Sequence, residues 1–223
     1  MKKILNNSFV VIFILVLLIF PTFACKEDEV TRVAKFNEYD VATLTIYSYD
    51  GVSESRWGIM NLGHSFLSIL NTSSSEISVG GKLVQPNEEI SFGAWSLSAH
   101  FGIWYNVESY YINNYNKYNG RVSVEKGITI EDIGRINEFI IRHDKWTPIN
   151  NCSKFAMMLW NRIAKESEKL DVKLIETPTH LIKQLKTFEN FQVNKPLNNY
   201  IDCGYFNDLS QTTFIFEGGE VYV

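Results

Sequence analysis

The strongest constraint on this chain is a short amphipathic helix headed by a cysteine. Between Asn150 and Ile163 the apolar residues Phe155, Ala156, Leu159 and Ile163 recur at helical spacing. They form one stripe that must be buried against a core. Upstream, Thr147-Pro148-Ile149-Asn150-Asn151 is turn chemistry, with an asparagine free to cap the helix. Cys152 stands three and four residues before Phe155 and Ala156, on the stripe side of the first turn. The helix dipole there favours thiolate over thiol. The stripe therefore aims a sulfur into the body of the protein. A free cysteine in such a place usually only packs, so chemistry requires a partner elsewhere in the chain.

The rest of the chain predicts an α+β fold, strands first and helices later. Val41 to Tyr49 alternates β-branched, aromatic and small residues up to Asp50-Gly51, the pattern of a strand running into a turn. After Gly63, His64 to Leu70 reads as a strand with Leu67 and Ile69 on one face and His64, Phe66 and Leu70 on the other. Ser53 to Leu62 matches no element. Glu76 to Val79 and Glu89 to Trp95 are two further strands, punctuated by Gly80-Gly81 and Pro86-Asn87, which suggests an antiparallel meander. His100 to Tyr118, rich in Tyr, Asn and Trp, is read as a strand and then a short helix over 108–112. Arg121 to Val124 is a short strand. Thr129 with Asp132 caps a helix whose inward residues are Ile133, Ile136, Ile140 and Ile141. Thr177-Pro178 opens another, with Leu181, Ile182 and Leu185 inward. Thr212 to Phe216 and Glu220 to Val223, separated by Gly218-Gly219, read as a closing hairpin.

The N-terminal two dozen of the 223 residues follow a different logic. Lys2 and Lys3 precede an apolar run from Phe9 to Phe20 and then Pro21-Thr22-Phe23-Ala24, the pattern of a secretory signal. The run is short for a membrane span. The expected organisation is a signal peptide over 1–24, an exposed linker over 25–38 and one domain over 39–223. Such a protein is exported, either secreted or held at the cell envelope. Cys25, at the cleavage point and followed by Lys26-Glu27-Asp28-Glu29, suits a bacterial lipoprotein tethered to a membrane through that cysteine; ordinary cleavage after Ala24 reads almost as well. Net charge is −4, or −6 once Lys2 and Lys3 leave with the signal, and no basic stripe is visible, which argues against nucleic acid as a partner. Three cysteines in an exported chain fit a core with one working thiol better than a disulfide scaffold. Cys203 has neither a helix start nor an activator and reads as structural.

His64 is the partner Cys152 needs. It opens a strand immediately after a glycine, where a ring can project past the end of a sheet. An imidazole beside a thiolate holds the negative charge as an ion pair and then gives a proton to a leaving group. The four histidines, His64, His100, His143 and His180, show no metal-ligand spacing, so neither a metal nor another cofactor is expected. His143-Asp144 ends a helix and suits its C-terminal dipole. Trp95, Trp104, Tyr105, Tyr110 and Tyr111 read as core, with a groove lining as the alternative.

Gly63-His64-Ser65-Phe66, followed far downstream by Asn151-Cys152-Ser153-Lys154-Phe155-Ala156 and Trp160-Asn161, resembles the circularly permuted NlpC-type branch of the papain-like cysteine peptidases and amidases. There the histidine strand precedes the cysteine helix, as here. The resemblance spans roughly residues 64 to 185. It implies a permuted papain-like core with an antiparallel sheet against the cysteine helix, Cys152 as nucleophile and His64 as general base and acid. It also implies a third polar residue that orients the imidazole from a following strand. His100 is the favoured candidate, with Ser91, Ser96 and Glu76 as alternatives. An oxyanion site would draw on the Cys152 backbone N–H and the Asn150 or Asn151 amide. The expected activity is that of an exported cysteine hydrolase cutting a peptidoglycan-like peptide or related amide. A lipid thioesterase or acyltransferase of the same fold is one alternative, and a non-catalytic envelope binding module another.

Overall fold

A computed structural model describes residues 32–51, 63–198, 202–207 and 210–215. The expected signal peptide, Cys25 and the unplaced 53–62 stretch lie outside the described residues, as do 216–223. Ten strands are present among the described residues: β1 Ala42–Tyr49, β2 His64–Asn71, β3 Ile77–Val79, β4 Lys82–Val84, β5 Glu89–Leu97, β6 His100–Tyr105, β7 Val122–Ile128, β8 Gln192–Val193, β9 Asp202–Asn207 and β10 Ser210–Ile215. Four α-helices accompany them: α1 Val107–Tyr115, α2 Ile130–His143, α3 Cys152–Ile163 and α4 Pro178–Leu185. Eight strands form one sheet in the order β10-β9-β6-β5-β2-β1-β7-β8, every neighbour antiparallel. The fold is thus α+β, an antiparallel sheet packed against helices.

The sheet is covered on both faces, and side-chain alternation decides what each face meets. Leu44, Ile46, Leu67, Ile69, Phe92 and Ile103 join the stripes of α2, α3 and α4 in one core. The opposite side chains, Tyr47, Tyr49, Phe66, Trp95 and Trp104, build a second, aromatic cluster with Tyr110 and Tyr111 of α1 and with Tyr118. Those aromatic residues are therefore core. Residues on both faces of β1 are buried, so its sequence carries no charged side.

Several boundaries differ from the sequence-based expectation. The meander is β1-β2-β5-β6, while β3 and β4 form a separate two-stranded sheet inserted into it. In α2 the cap is the expected box, with Asp132 N–H on Thr129 and the Asp132 carboxylate on Thr129 N–H. Ile141, however, points outward and is 46% exposed, its inward place taken by Phe139. β10 pairs with β9, and the second arm of the expected closing hairpin, Glu220 to Val223, lies outside the described residues. Within the stretch expected to be linker, Arg32 bridges Phe188 in parallel and Ala34 is buried. Behind α3, Lys126 Nζ meets Glu168 Oε2 at 2.6 Å with both side chains nearly inaccessible, fixing the turn after the helix to β7.

The sheet also opens where the site lies. The β1–β2 ladder runs to Tyr49–His64, but the β2–β5 ladder stops at Leu67–Phe92. The first three residues of β2 are thus ladder-paired on one side only, and α3 packs against β2 and β5 beside this opening.

Candidate active site

The thiol is placed by an ordinary cap. Asn151 is extended (φ −85°, ψ −179°) and its side-chain oxygen accepts from Lys154 N–H at 3.0 Å, which starts α3 at Cys152. Phe155, Ala156, Leu159 and Trp160 are almost wholly buried and anchor the helix in the core. Cys152 remains partly exposed at the first turn and is not in a disulfide.

His64 is delivered by the strand. Gly63 has φ +71°, a value that suits glycine, and a Cβ there would strike the Tyr49 carbonyl. The His64 ring is buried, and it and the Cys152 thiol act on each other's charge. It packs against Trp95 at 4.1 Å between centroids, with Phe66 and Tyr118 each at 5.9 Å. Its Nε2 donates to Glu108 Oε1 at 2.9 Å.

Glu108 lies in the first turn of α1 and is fully buried. A buried carboxylate must be paired to be tolerated, and this one has three donors. Trp95 Nε1 donates to Oε1 at 2.7 Å and Ser91 Oγ to Oε2 at 3.2 Å, in addition to His64. Asn106 sets the entry to α1 in a left-handed turn (φ 60°), bonded through its side chain to Ser91 N–H and the Asp202 carbonyl. Gly93, facing this group from β5, keeps the space open: a Cβ there would lie 2.6 Å from Glu108 Oε1 and 3.3 Å from His64 Nε2.

Charge follows from this geometry. Burial alone would lower the His64 pKa, but the Cys152 sulfur and the Glu108 carboxylate outweigh it and lift the imidazole to about 9. Burial alone would raise the Cys152 thiol; the His64 charge and hydrogen bond, the Ser65 backbone N–H and the Ser153 hydroxyl together bring it below its ordinary value. Both shifts favour a thiolate–imidazolium pair. Cys203 behaves in the opposite way. It is fully buried, donates to the Asn106 carbonyl at 3.3 Å, and its thiol is pushed up by burial and by Glu108, as suits a structural residue.

The other candidates sit elsewhere. His100 is not the residue on the His64 ring. Its Nε2 meets Asp144 Oδ1 at 2.7 Å and its ring stacks on Tyr205, because β6 carries it to the far side of β5. Ser91 reaches Glu108 rather than the imidazole, Ser96 lies one residue beyond Trp95 and so on the opposite face, and Glu76 accepts from Gln85 at an exposed turn. The Asn150 and Asn151 amides are not aimed at the thiol. Asn150 Nδ2 donates to the Lys145 carbonyl at 2.7 Å and Asn151 Nδ2 to the Glu176 carbonyl at 2.9 Å, so both are consumed in shaping the loops around α3. Among the described residues no three His, Cys, Asp or Glu side chains come together as a metal site, and no helix is long and apolar enough to cross a membrane.

Glu108 is the residue that sequence reasoning missed. Its signal was present: it is the lone carboxylate in the run Trp104-Tyr105-Asn106-Val107-Glu108-Ser109-Tyr110-Tyr111, and an acid inside so apolar a segment needs buried donors. Comparison with family models, curated proteins and solved structures returns no match for the chain.

Proposed function

We propose that the chain is a cysteine hydrolase of the peptidase and amidase type, with a permuted papain-like core and Cys152, His64 and Glu108 as its catalytic line. The observation that carries the reading is that partly exposed Cys152 and the buried His64 ring act on each other's charge while His64 Nε2 is bonded to buried Glu108. The chain order, histidine strand before cysteine helix, agrees with the permuted branch.

In the reaction, the Cys152 thiolate attacks an amide carbonyl and forms a carbon–sulfur bond. The resulting oxyanion is met by the Cys152 backbone N–H at the helix start. His64 gives its proton to the departing amine as the carbon–nitrogen bond breaks. His64 then takes a proton from water, whose oxygen displaces the sulfur, yielding a carboxylic acid and restoring the thiolate. Glu108 keeps the ring oriented and supports its positive charge throughout. As an exported protein, the enzyme would meet peptidoglycan-like peptides as its substrate class, and attachment through Cys25 would hold it at the envelope.

One observation favours a second reading, a thioesterase or acyltransferase. Ile149, Leu174 and Ile175 are all more than half exposed, on loops bonded to the start of α3 through Asn151 and Lys154. An apolar rim there suits an acyl chain. Release of free amine from muropeptides and of free acid from short acyl thioesters is measured for wild type, Cys152→Ala and His64→Ala, alongside thermal melts. Amine release lost in both variants supports the first reading, and thioester turnover alone supports the second. Turnover that survives Cys152→Ala overturns both, and no turnover of either class leaves a binding module.

A further inference from the structure

On the side of Cys152 away from Glu108, three buried serines stand in line. Ser48 Oγ donates to the Pro178 carbonyl at 2.9 Å, Ser48 and Ser65 share a hydrogen bond of 2.9 Å, and Ser65 and Ser153 share another of 2.9 Å. All three side chains are wholly inaccessible. Ser153 follows Cys152 in the first turn of α3, and its hydroxyl is among the groups that hold the Cys152 thiol below its ordinary pKa. The row has four links and three hydroxyl protons, since each hydroxyl donates once. The Pro178 carbonyl can only accept.

We infer that Ser48, Ser65 and Ser153 form a hydroxyl chain whose direction of donation reverses with the charge on Cys152. With the sulfur protonated, Ser48 donates to Pro178, Ser65 to Ser48 and Ser153 to Ser65. A thiolate needs donors, and Ser153 can supply one only by turning its proton away from Ser65. Ser65 then donates to Ser153 and Ser48 to Ser65, and Pro178 loses its hydroxyl. Each hydroxyl rotates about its Cβ–Oγ bond and no O–H bond breaks; the only proton that moves between atoms passes from sulfur to His64. The serines are positioning residues: they act on substrate through Cys152. This deepens the proposed function, resting on Cys152 as its nucleophile, and adds a control on how readily that nucleophile forms.

Among the described residues, the charged groups facing the sulfur are His64 from β2 and, behind it, Glu108 from α1. β5 presents Gly93 and Trp95, which carry no charge. Ahead of α4, the Glu176 carboxylate is occupied by Lys173 N–H and His180 Nδ1, and on α3 itself Lys154 Nζ is bonded to the Leu174 carbonyl. None of these is displaced by a serine substitution.

The chain gives opposite signs at its two ends. Ser153→Ala removes the donor to the thiolate and should raise the midpoint of Cys152 alkylation by about one pH unit. Ser48→Ala removes the far competitor, frees Ser65 to donate to Ser153, and should lower the midpoint by about half a unit; Ser65→Ala should lower it too. The measurement is the rate of iodoacetamide labelling at Cys152 across pH on the full chain, located by peptide mass mapping, with a melt for each variant. Opposite signs for Ser48→Ala and Ser153→Ala support the chain. Shifts of the same sign, or none in either, overturn it. An ordinary thiol midpoint in the wild type overturns the nucleophile reading, while opposite signs about that midpoint still support the chain.

Discussion

Replacing Glu108 by Gln removes one charge and almost no volume, and its consequence can be worked from the contacts. The carboxylate takes Trp95 at 2.7 Å and His64 at 2.9 Å on one oxygen and Ser91 at 3.2 Å on the other. Glutamine keeps an oxygen for two of these donors but turns an NH2 toward the third. His64 keeps a hydrogen bond but loses its charged partner, and a bond charge-assisted on both sides contributes roughly 1.5–3 kcal/mol. At about 1.36 kcal/mol per pH unit, His64 should titrate about one to two units lower, below its native position of about 9. The fold should hold, since a buried amide has lower desolvation demands than a buried carboxylate. The assay is NMR titration of the ring protons of the four histidines, with the His64 signal assigned by its disappearance in His64→Asn. A His64 midpoint that stays at about 9 in Glu108→Gln refutes the claim that this carboxylate sustains the charged ring.

Two further outcomes follow from the buried charges. The folded His64 pKa lies above its unfolded value of 6.5, so its stabilisation is complete below about pH 6.5 and is lost as pH rises through about 9. The Cys152 contribution runs the other way, complete above the ordinary thiol value of 9.0 and lost as pH falls through the lowered folded value. The two slopes have opposite sign just below pH 9, so wild-type stability relative to a Cys152→Ala/His64→Asn double variant should change little with pH there; urea titrations across pH check this, and a steep slope just below pH 9 contradicts it. At the other end of α3, Lys126→Ala strands the Glu168 carboxylate that now sits 2.6 Å from the ammonium. It should cost about 3–5 kcal/mol in chemical denaturation, whereas Lys126→Met with Glu168→Leu should recover most of the loss; equal damage from both variants would show that packing, not charge, is at stake.

Legibility followed how local each determinant is. The cap and stripe of α3, the Thr129 box and the Thr177-Pro178 start are encoded within a few residues, and each stands where the sequence puts it. Short strands carry too little periodicity to read: β4, β8 and β9 exist through their ladder partners, and β3 pairs outside the main sheet because its neighbour is β4. Three isoleucines at helical spacing make Ile141 look inward in the sequence, while in the fold Phe139 fills that arc.

The sequence by itself determined the two ends of the reacting pair: a cysteine at a capped helix start and a histidine at a strand start behind a glycine. Those signals are backbone chemistry, written in adjacent residues. Only the tertiary structure decided what surrounds the pair. Burial is a property of the assembled sheet, and it turns Glu108 from a helix-surface acid into an anion that must be met by His64, Trp95 and Ser91. The same closure draws His100 away to Asp144 and brings Ser48, Ser65 and Ser153 together from two strands and a helix. Contacts between residues tens of positions apart depend on strand order and on where a ladder stops, and no local pattern carries that information.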